Sequence, residues 1–308
     1  MMAFFNVLPK TVAQGILWGI MAIGVYITFR ILDYADMTVD GSICTGMAVC
    51  ALMSNAGQPI WLAILCATLS GMAAGLLTGL FHTFFGIPSI LSGILTQMIL
   101  WSVNLKLAGS FLFVKQDYPF MSASEIGTTL IFLAVFVVLL VCILYWFFGT
   151  ELGSSIRATG TNPNMSRAQG INIDFMKILG LVISNGIVAL SGSLFALYNG
   201  SYGVDYGRGA IVTGLAAVII ADALFSWIAK SNFAVKLISI VFGGIIYYLV
   251  YQAVLMVVFD ANLLKMLSAL IVAIFLAFPY LRKKYFNRYF RKLASMMKKN
   301  KKEGKNNA

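Results

Sequence analysis

The chain has 308 residues, of which 60 % are hydrophobic and only 11 % charged, and its mean hydropathy is +0.89. A water-soluble domain carries about a quarter charged residues, so this composition excludes a soluble enzyme and makes lipid the solvent of the folded chain. The net charge of +11 does not argue for nucleic acid, because the stretch 282–305 alone holds eleven Lys and Arg against the single acid Glu303.

At about 20 residues per crossing, apolar stretches give nine candidate spans: 15–32, 39–54, 60–81, 88–108, 128–148, 178–198, 211–228, 235–259 and 263–280. The fold class expected is an all-α, polytopic membrane helix bundle of about 8–10 transmembrane helices with a short cytoplasmic coupling helix. Residues 1–281 form the transmembrane domain and 282–308 a basic tail. The first span is long, and no convincing small-residue cleavage site follows it, so no cleavable signal peptide is expected. The early segment 31–51 stands out. It opens with Asp33, Asp36 and Asp40 and contains Gly41 and Gly46. Acids are tolerated there only at an interface, in a protein-lined cavity, or beside a partner such as Arg30. Either Arg30, Asp33, Asp36 and Asp40 line a translocation path or stabilise a helix break, or Asp40 is an N-cap and Asp36 an interfacial turn residue. A broken or re-entrant helix here would change the parity of the crossings and with it the side of the N-terminus.

Further along, Gln97, Asn104 and Lys106 on the fourth span would be costly in lipid, so Gln97 and Asn104 are expected to face a central cavity. Lys106 either joins them or snorkels to the interface. Two polar interruptions follow, at 109–127 and 149–177. The second is richer in Arg and Lys, which assigns it to the cytoplasm, and the tail gives the C-terminus the same side. The tail also spaces Phe286, Tyr289, Phe290, Leu293, Met296 and Met297 as on an amphipathic interfacial helix. Cys44, Cys50, Cys66 and Cys142 lie in apolar stretches without a CxxC pair and are expected to be packing residues. With His82 as the lone histidine, no metal site is expected.

The loop 149–177 carries the most local chemistry. Asn162 is a good N-cap, Pro163 suits the first helical position, and Gly170 suits the left-handed position past a C-terminus. The spacing predicts an isolated helix of about two turns, roughly 10 Å long, between Gly160 and Gly170. So short a helix is marginal alone and implies a docking partner.

Gly153, Arg157, Ala158, Gly160, Asn162, Pro163, Arg167, Ala168 and Gly170 together resemble the coupling-loop signature of ATP-binding-cassette permeases in the branched-chain amino acid and ribose importer superfamily. Three further stretches are similar to the subgroup associated with tryptophan/tyrosine-type substrate-binding proteins. They hold Tyr26, Arg30, Asp33, Asp36, Asp40, Gly41 and Ser42; Pro88, Gly93, Thr96, Asn104 and Lys106; and Gly214, Asp222 and Phe225. Asp222 stands where that subgroup carries a glutamate. The resemblance implies the permease of a bacterial cell-membrane importer, multi-pass, passing a small solute, an amino acid with aromatic ones favoured. It implies cytoplasmic ABC ATPase subunits, an extracellular or periplasmic substrate-binding protein, and a second permease copy as a homodimer. Cofactors are expected to be none in this chain, with ATP and Mg held by the partner ATPase. The residues agree in one respect: no GxxxxGK[ST] loop is present, since Gly304 and Lys305 are followed by Asn306. With one histidine, no HExxH and no G-x-S-x-G, a catalytic role is not expected. An ion- or proton-coupled secondary transporter is the alternative, because such carriers place charged groups at discontinuous helices.

Overall fold

A computed structural model describes residues 2–115, 118–121, 125–225 and 232–255, with Met266, Ala269, Leu270, Ala273 and Ala277 beyond them; the side chains of 2–6 and 119 are not described. The expected last span 263–280 falls almost wholly outside the described residues, and the basic tail 282–308 entirely so. Helices dominate. In chain order they are α1 (Met2–Tyr26), extended by a π-turn at Ile27–Ile31, α2 (Val39–Asn55), α3 (Ile60–Thr83), α4 (Ser89–Ala108), α5 (Ile126–Gly149), α6 (Glu151–Thr161), α7 (Pro163–Ala168), α8 (Ile173–Asn199), α9 (Ala210–Phe225) and α10 (Phe233–Leu255). Two three-residue strands, β1 (Phe111–Phe113) and β2 (Ser201–Gly203), pair antiparallel.

The two ends of the bundle are distinct. At the ribbon end, β1 meets β2, the Asn55 side chain donates to the Phe113 carbonyl at 2.8 Å, and the Tyr198 hydroxyl reaches the Lys10 carbonyl. At the other end, α6 and α7 fold beneath the bundle, with Gly160 against the Ile31 carbonyl. Six helices are long and apolar enough to span a bilayer: α1 with its π-turn, α3, α4, α5, α8 and α10. The remaining two traverses are broken. One is irregular from 32 to 38 and becomes α2; the other passes through β2 and a turn before α9. The described residues therefore run eight times between the two ends of the bundle, within the expected range. The segment 31–51 is broken as its glycines and acids suggest, yet the chain still completes its passage, from Ile31 at the hairpin end to Asn55 at the ribbon end. The start of α1 and the α6–α7 hairpin thus lie at opposite ends.

Burial follows the solvent. α5, the most uniformly apolar helix, turns Ile131, Val135, Val138, Leu139 and Trp146 outward, as a lipid-facing helix should. α2 and α8 carry more polar groups and are mostly buried in protein, where Ser42, Asn185 and Ser184 find partners. α3 has two faces. Trp61, Leu65, Leu69 and Leu76 are exposed, whereas Gly71, Gly75 and Gly79, four residues apart, lie against α8 at Asn185 and Ala189, Leu181, and Ile178. Without side chains on that stripe the two backbones approach closely, the packing that substitutes for hydrophobic collapse in lipid. The cysteines are free: Cys44 and Cys50 are buried, Cys66 is half-buried, and Cys142 is exposed on α5, so it does not serve as a packing residue within this chain. Lys106 is exposed in the last turn of α4, the position from which a lysine snorkels.

Candidate functional site

The two broken helices meet inside the bundle. A helix start leaves backbone N–H groups without intrahelical partners, and a carboxylate is the natural acceptor for them. Asp40 supplies one, but for the start of α9 rather than for its own helix: Oδ2 accepts from Gly209 N and Oδ1 from Ile211 N, both at 2.9 Å. Asp36 serves the start of α2, accepting from Thr38 N at 2.9 Å through Oδ1 and from Asn185 Nδ2 at 2.7 Å through Oδ2. It is fully buried and so is not an interfacial turn residue. Asp33 is exposed, with a φ of 52° that a non-glycine residue seldom adopts. Arg30 joins none of these acids. It lies at the hairpin end, 2.7 Å from Asp222, which Lys236 approaches at 3.8 Å. Because Arg30 is more than half exposed, this cluster is worth at most about 1 kcal/mol. Asp222→Asn should therefore leave thermal stability in detergent nearly unchanged; a large fall in melting temperature would show the cluster to be structural.

Beside the break lies a groove of about 500 Å³ between α2, α4 and the turn before α9, lined by Asp40, Gln97, Trp101, Asn104, Arg208 and, among others, Cys44. Gln97, Trp101 and Asn104 share one face of α4, at i, i+4 and i+7. The structure thus brings Asp40, Gln97 and Asn104 together, whereas Arg30, Asp33 and Asp36 do not line this groove. Arg208 and Trp101 were missed by the sequence reading. Arg208 sits in what reads as a gap between spans, and a tryptophan on an apolar helix gives no signal of its own. Asn185, in the middle of the sixth expected span, was equally overlooked, although an amide there announces a buried network.

The hairpin confirms the local chemistry of α7 and corrects its surroundings. Asn162 Oδ1 accepts from Met165 N at 3.1 Å, Pro163 opens the helix, and Gly170 follows it with φ 83°. The preceding residues are helical too, so Gly160 lies inside α6 instead of bounding a lone helix. Thr150 caps α6 and Asn172 caps α8. The signature residues divide into two groups. Gly153 packs on the Phe147 and Phe148 backbone, Gly160 on that of Ile31, and Arg157 Nη2 donates to the Phe148 carbonyl at 2.7 Å with its guanidinium over the Phe233 ring. These hold the hairpin to the bundle, with half-buried Ala158 between them. Asn162, Pro163, Arg167, Ala168 and Gly170 instead form an exposed tip. Among the described residues, no group of three His, Cys, Asp or Glu could hold a metal ion.

The sequence matches the family described as branched-chain amino acid transport system / permease component over residues 8–279. It is 38 % identical over 270 residues to a tyrosine transport system permease protein of Clostridioides difficile, covering 87 % of this chain and 90 % of that one. It is also 27 % identical to the autoinducer 2 import system permease protein LsrC of Salmonella paratyphi B, over 59 % of this chain and 54 % of the relative. Among solved structures, PsaBC from Streptococcus pneumoniae in complex with Fab shares the fold at a TM-score of 0.52 and 16 % identity, covering 92 % of this chain and 100 % of that one. With nearly its whole bundle matched, the chain is a multi-pass membrane protein and belongs to the branched-chain amino acid transport system permease family.

Proposed function

We propose that this chain is the membrane-spanning permease of an ATP-driven importer that passes a small amino acid, with aromatic ones favoured, through the groove beside the helix break. The observation that carries the reading is the α6–α7 hairpin: an exposed, capped tip on a base fastened to the bundle by Gly153, Arg157 and Gly160. A rigid tip gives a cytoplasmic ATPase something to grip, and the close contact at Ile31 passes its displacement to the π-turn and the break as a rigid-body shift. The tyrosine transport permease relative supports the aromatic preference. ATP and Mg would sit on the ATPase. A substrate-binding protein would deliver solute at the ribbon end, and a second copy of this chain would close the groove. The Arg- and Lys-rich loop supports a cytoplasmic position for the hairpin, in a bacterial cell. The Lys- and Arg-rich stretch 282–305 supports the same side for the C-terminus.

Arg167→Glu and Pro163→Gly test this. Both lie on the exposed tip, so stability should change by no more than about 0.5 kcal/mol for the surface charge swap, while co-purification of a co-expressed ATPase and nucleotide-dependent uptake should both be lost. Unchanged co-purification and uptake would overturn the coupling role. The broken helices with buried acids also suit an ion-coupled carrier; that reading requires counterflow by the purified chain in liposomes without nucleotide.

A further inference from the structure

Among the described residues only three buried side-chain polar atoms lack a hydrogen-bond partner: Trp18 Nε1, Tyr202 Oη and Asn104 Oδ1. Of these, Asn104 lines the groove. Its orientation is fixed by the donors around it. The Thr45 hydroxyl gives its proton to the Gly41 carbonyl at 2.9 Å, so its lone pair can only accept, and it accepts from Asn104 Nδ2 at 3.1 Å. A flipped amide would have to take the Thr45 proton from the Gly41 carbonyl, so the present orientation makes two hydrogen bonds where the flipped one makes one. Oδ1 remains a fully covered acceptor without a donor, which is costly in a bundle and calls for a ligand donor.

The rest of the lining is complementary in charge. Asp40 keeps both oxygens on the α9 N–H groups, each with a further lone pair available, and so adds acceptor capacity beside Asn104. Arg208 commits Nε to Asp205 at 3.0 Å, and its terminal nitrogens have no partner among the described residues. These present a planar fork suited to a carboxylate. Trp101 and Met98 supply an aromatic face and a polarizable sulfur, both favourable to a ring. About 500 Å³ lies within the range of small-ligand pockets.

We infer that the groove is a binding site for a zwitterionic amino acid with an aromatic side chain: Asn104 Oδ1 and Asp40 receive the ammonium, Arg208 the carboxylate, and Trp101 with Met98 the ring. This rests on the import reading and deepens it, by giving the membrane subunit a recognition site of its own.

The test is equilibrium binding of radiolabelled L-tyrosine to the full-length chain in lipid nanodiscs. The competitors are tyramine, which lacks the carboxylate, 3-(4-hydroxyphenyl)propionate, which lacks the ammonium, and L-alanine, which lacks the ring. Saturable binding is expected, with tyramine and the propionate at least about tenfold weaker than unlabelled tyrosine, the worth of a charge-assisted contact, and L-alanine at least about tenfold weaker through the lost burial of the ring. Asn104→Leu should weaken discrimination against the propionate, the remainder being carried by Asp40, and Arg208→Gln should erase discrimination against tyramine, while Asn104→Asp, which keeps an acceptor, should preserve the first. Absence of saturable binding to the wild-type chain, or variants that discriminate as it does, would overturn the site. Monodisperse elution of each variant shows that it folds. ATPase co-purification from the same cells separates the two proposals. Intact co-purification without binding overturns the site alone, and binding without co-purification overturns the import reading alone.

Discussion

Asp36→Leu is expected to destabilise the chain by about 2–5 kcal/mol and to lower sharply the amount of folded protein recovered from membranes. The side chain is completely buried and accepts from two donors, Thr38 N and Asn185 Nδ2, the second of which also reaches the Leu181 carbonyl at 3.1 Å. Each buried donor left without an acceptor costs about 1–3 kcal/mol. The damage spreads, because Asn185 Oδ1 also accepts from the Ser42 hydroxyl at 2.6 Å, so the same amide ties α8 to α2. Asp36→Asn separates shape from charge. It retains one acceptor oxygen but turns an NH2 group toward a donor, so its cost should fall between wild type and leucine. The measurement is the fraction of protein still monodisperse after graded heating in detergent. A leucine variant that melts with the wild type would show that the network contributes nothing.

Gly75→Leu should have an effect of similar size for a different reason. A Cβ on Gly75 would overlap the Leu181 carbonyl, and the whole α3–α8 seam would have to part to admit a side chain. Overpacking a tight contact costs about 1–3 kcal/mol and sometimes more. Here rigid backbone leaves no flexible neighbour to yield, so the upper part of that range is expected. Gly127→Leu is the matched control, because nothing stands within 4 Å of the added Cβ and the position is exposed on α5. Equal melting of the two variants would sink the argument.

Features that depend on neighbouring residues were legible in the sequence. Asn162, Pro163 and Gly170 act on their own helix within a few residues, and the order of caps reads directly from the chain. The apolar stretches likewise gave the spans, because in lipid every residue of an exposed face must be apolar. What depends on distant contacts was not legible. Nothing near Asp40 indicates that it caps a helix 170 residues later, and nothing near Arg30 points to Asp222. α6 was missed because Gly160 reads as the boundary of a lone helix and Gly153 is a second glycine upstream of it. Their propensity cost is real, but both are needed where the hairpin closes on Phe148 and Ile31. Gln97 and Asn104 were found because a polar stripe on a membrane helix is conspicuous, and Arg208 was not because a basic residue in a connection is ordinary.

The π-turn at the end of α1 has a consequence for how this segment can vary. Leu32 N reaches back to Ile27 O rather than to the residue four before it, so the turn holds one residue more than an α-helix would. One residue in a helix rotates everything after it by about 100°. Arg30 faces Asp222, and the 32–38 segment enters the bundle, only at the present phase. Between the Leu17 carbonyl, held by Ser191, and Asp36, the chain can therefore exchange side chains more easily than it can gain or lose a residue. A single insertion or deletion there is the change that would leave every side chain intact and every contact misdirected.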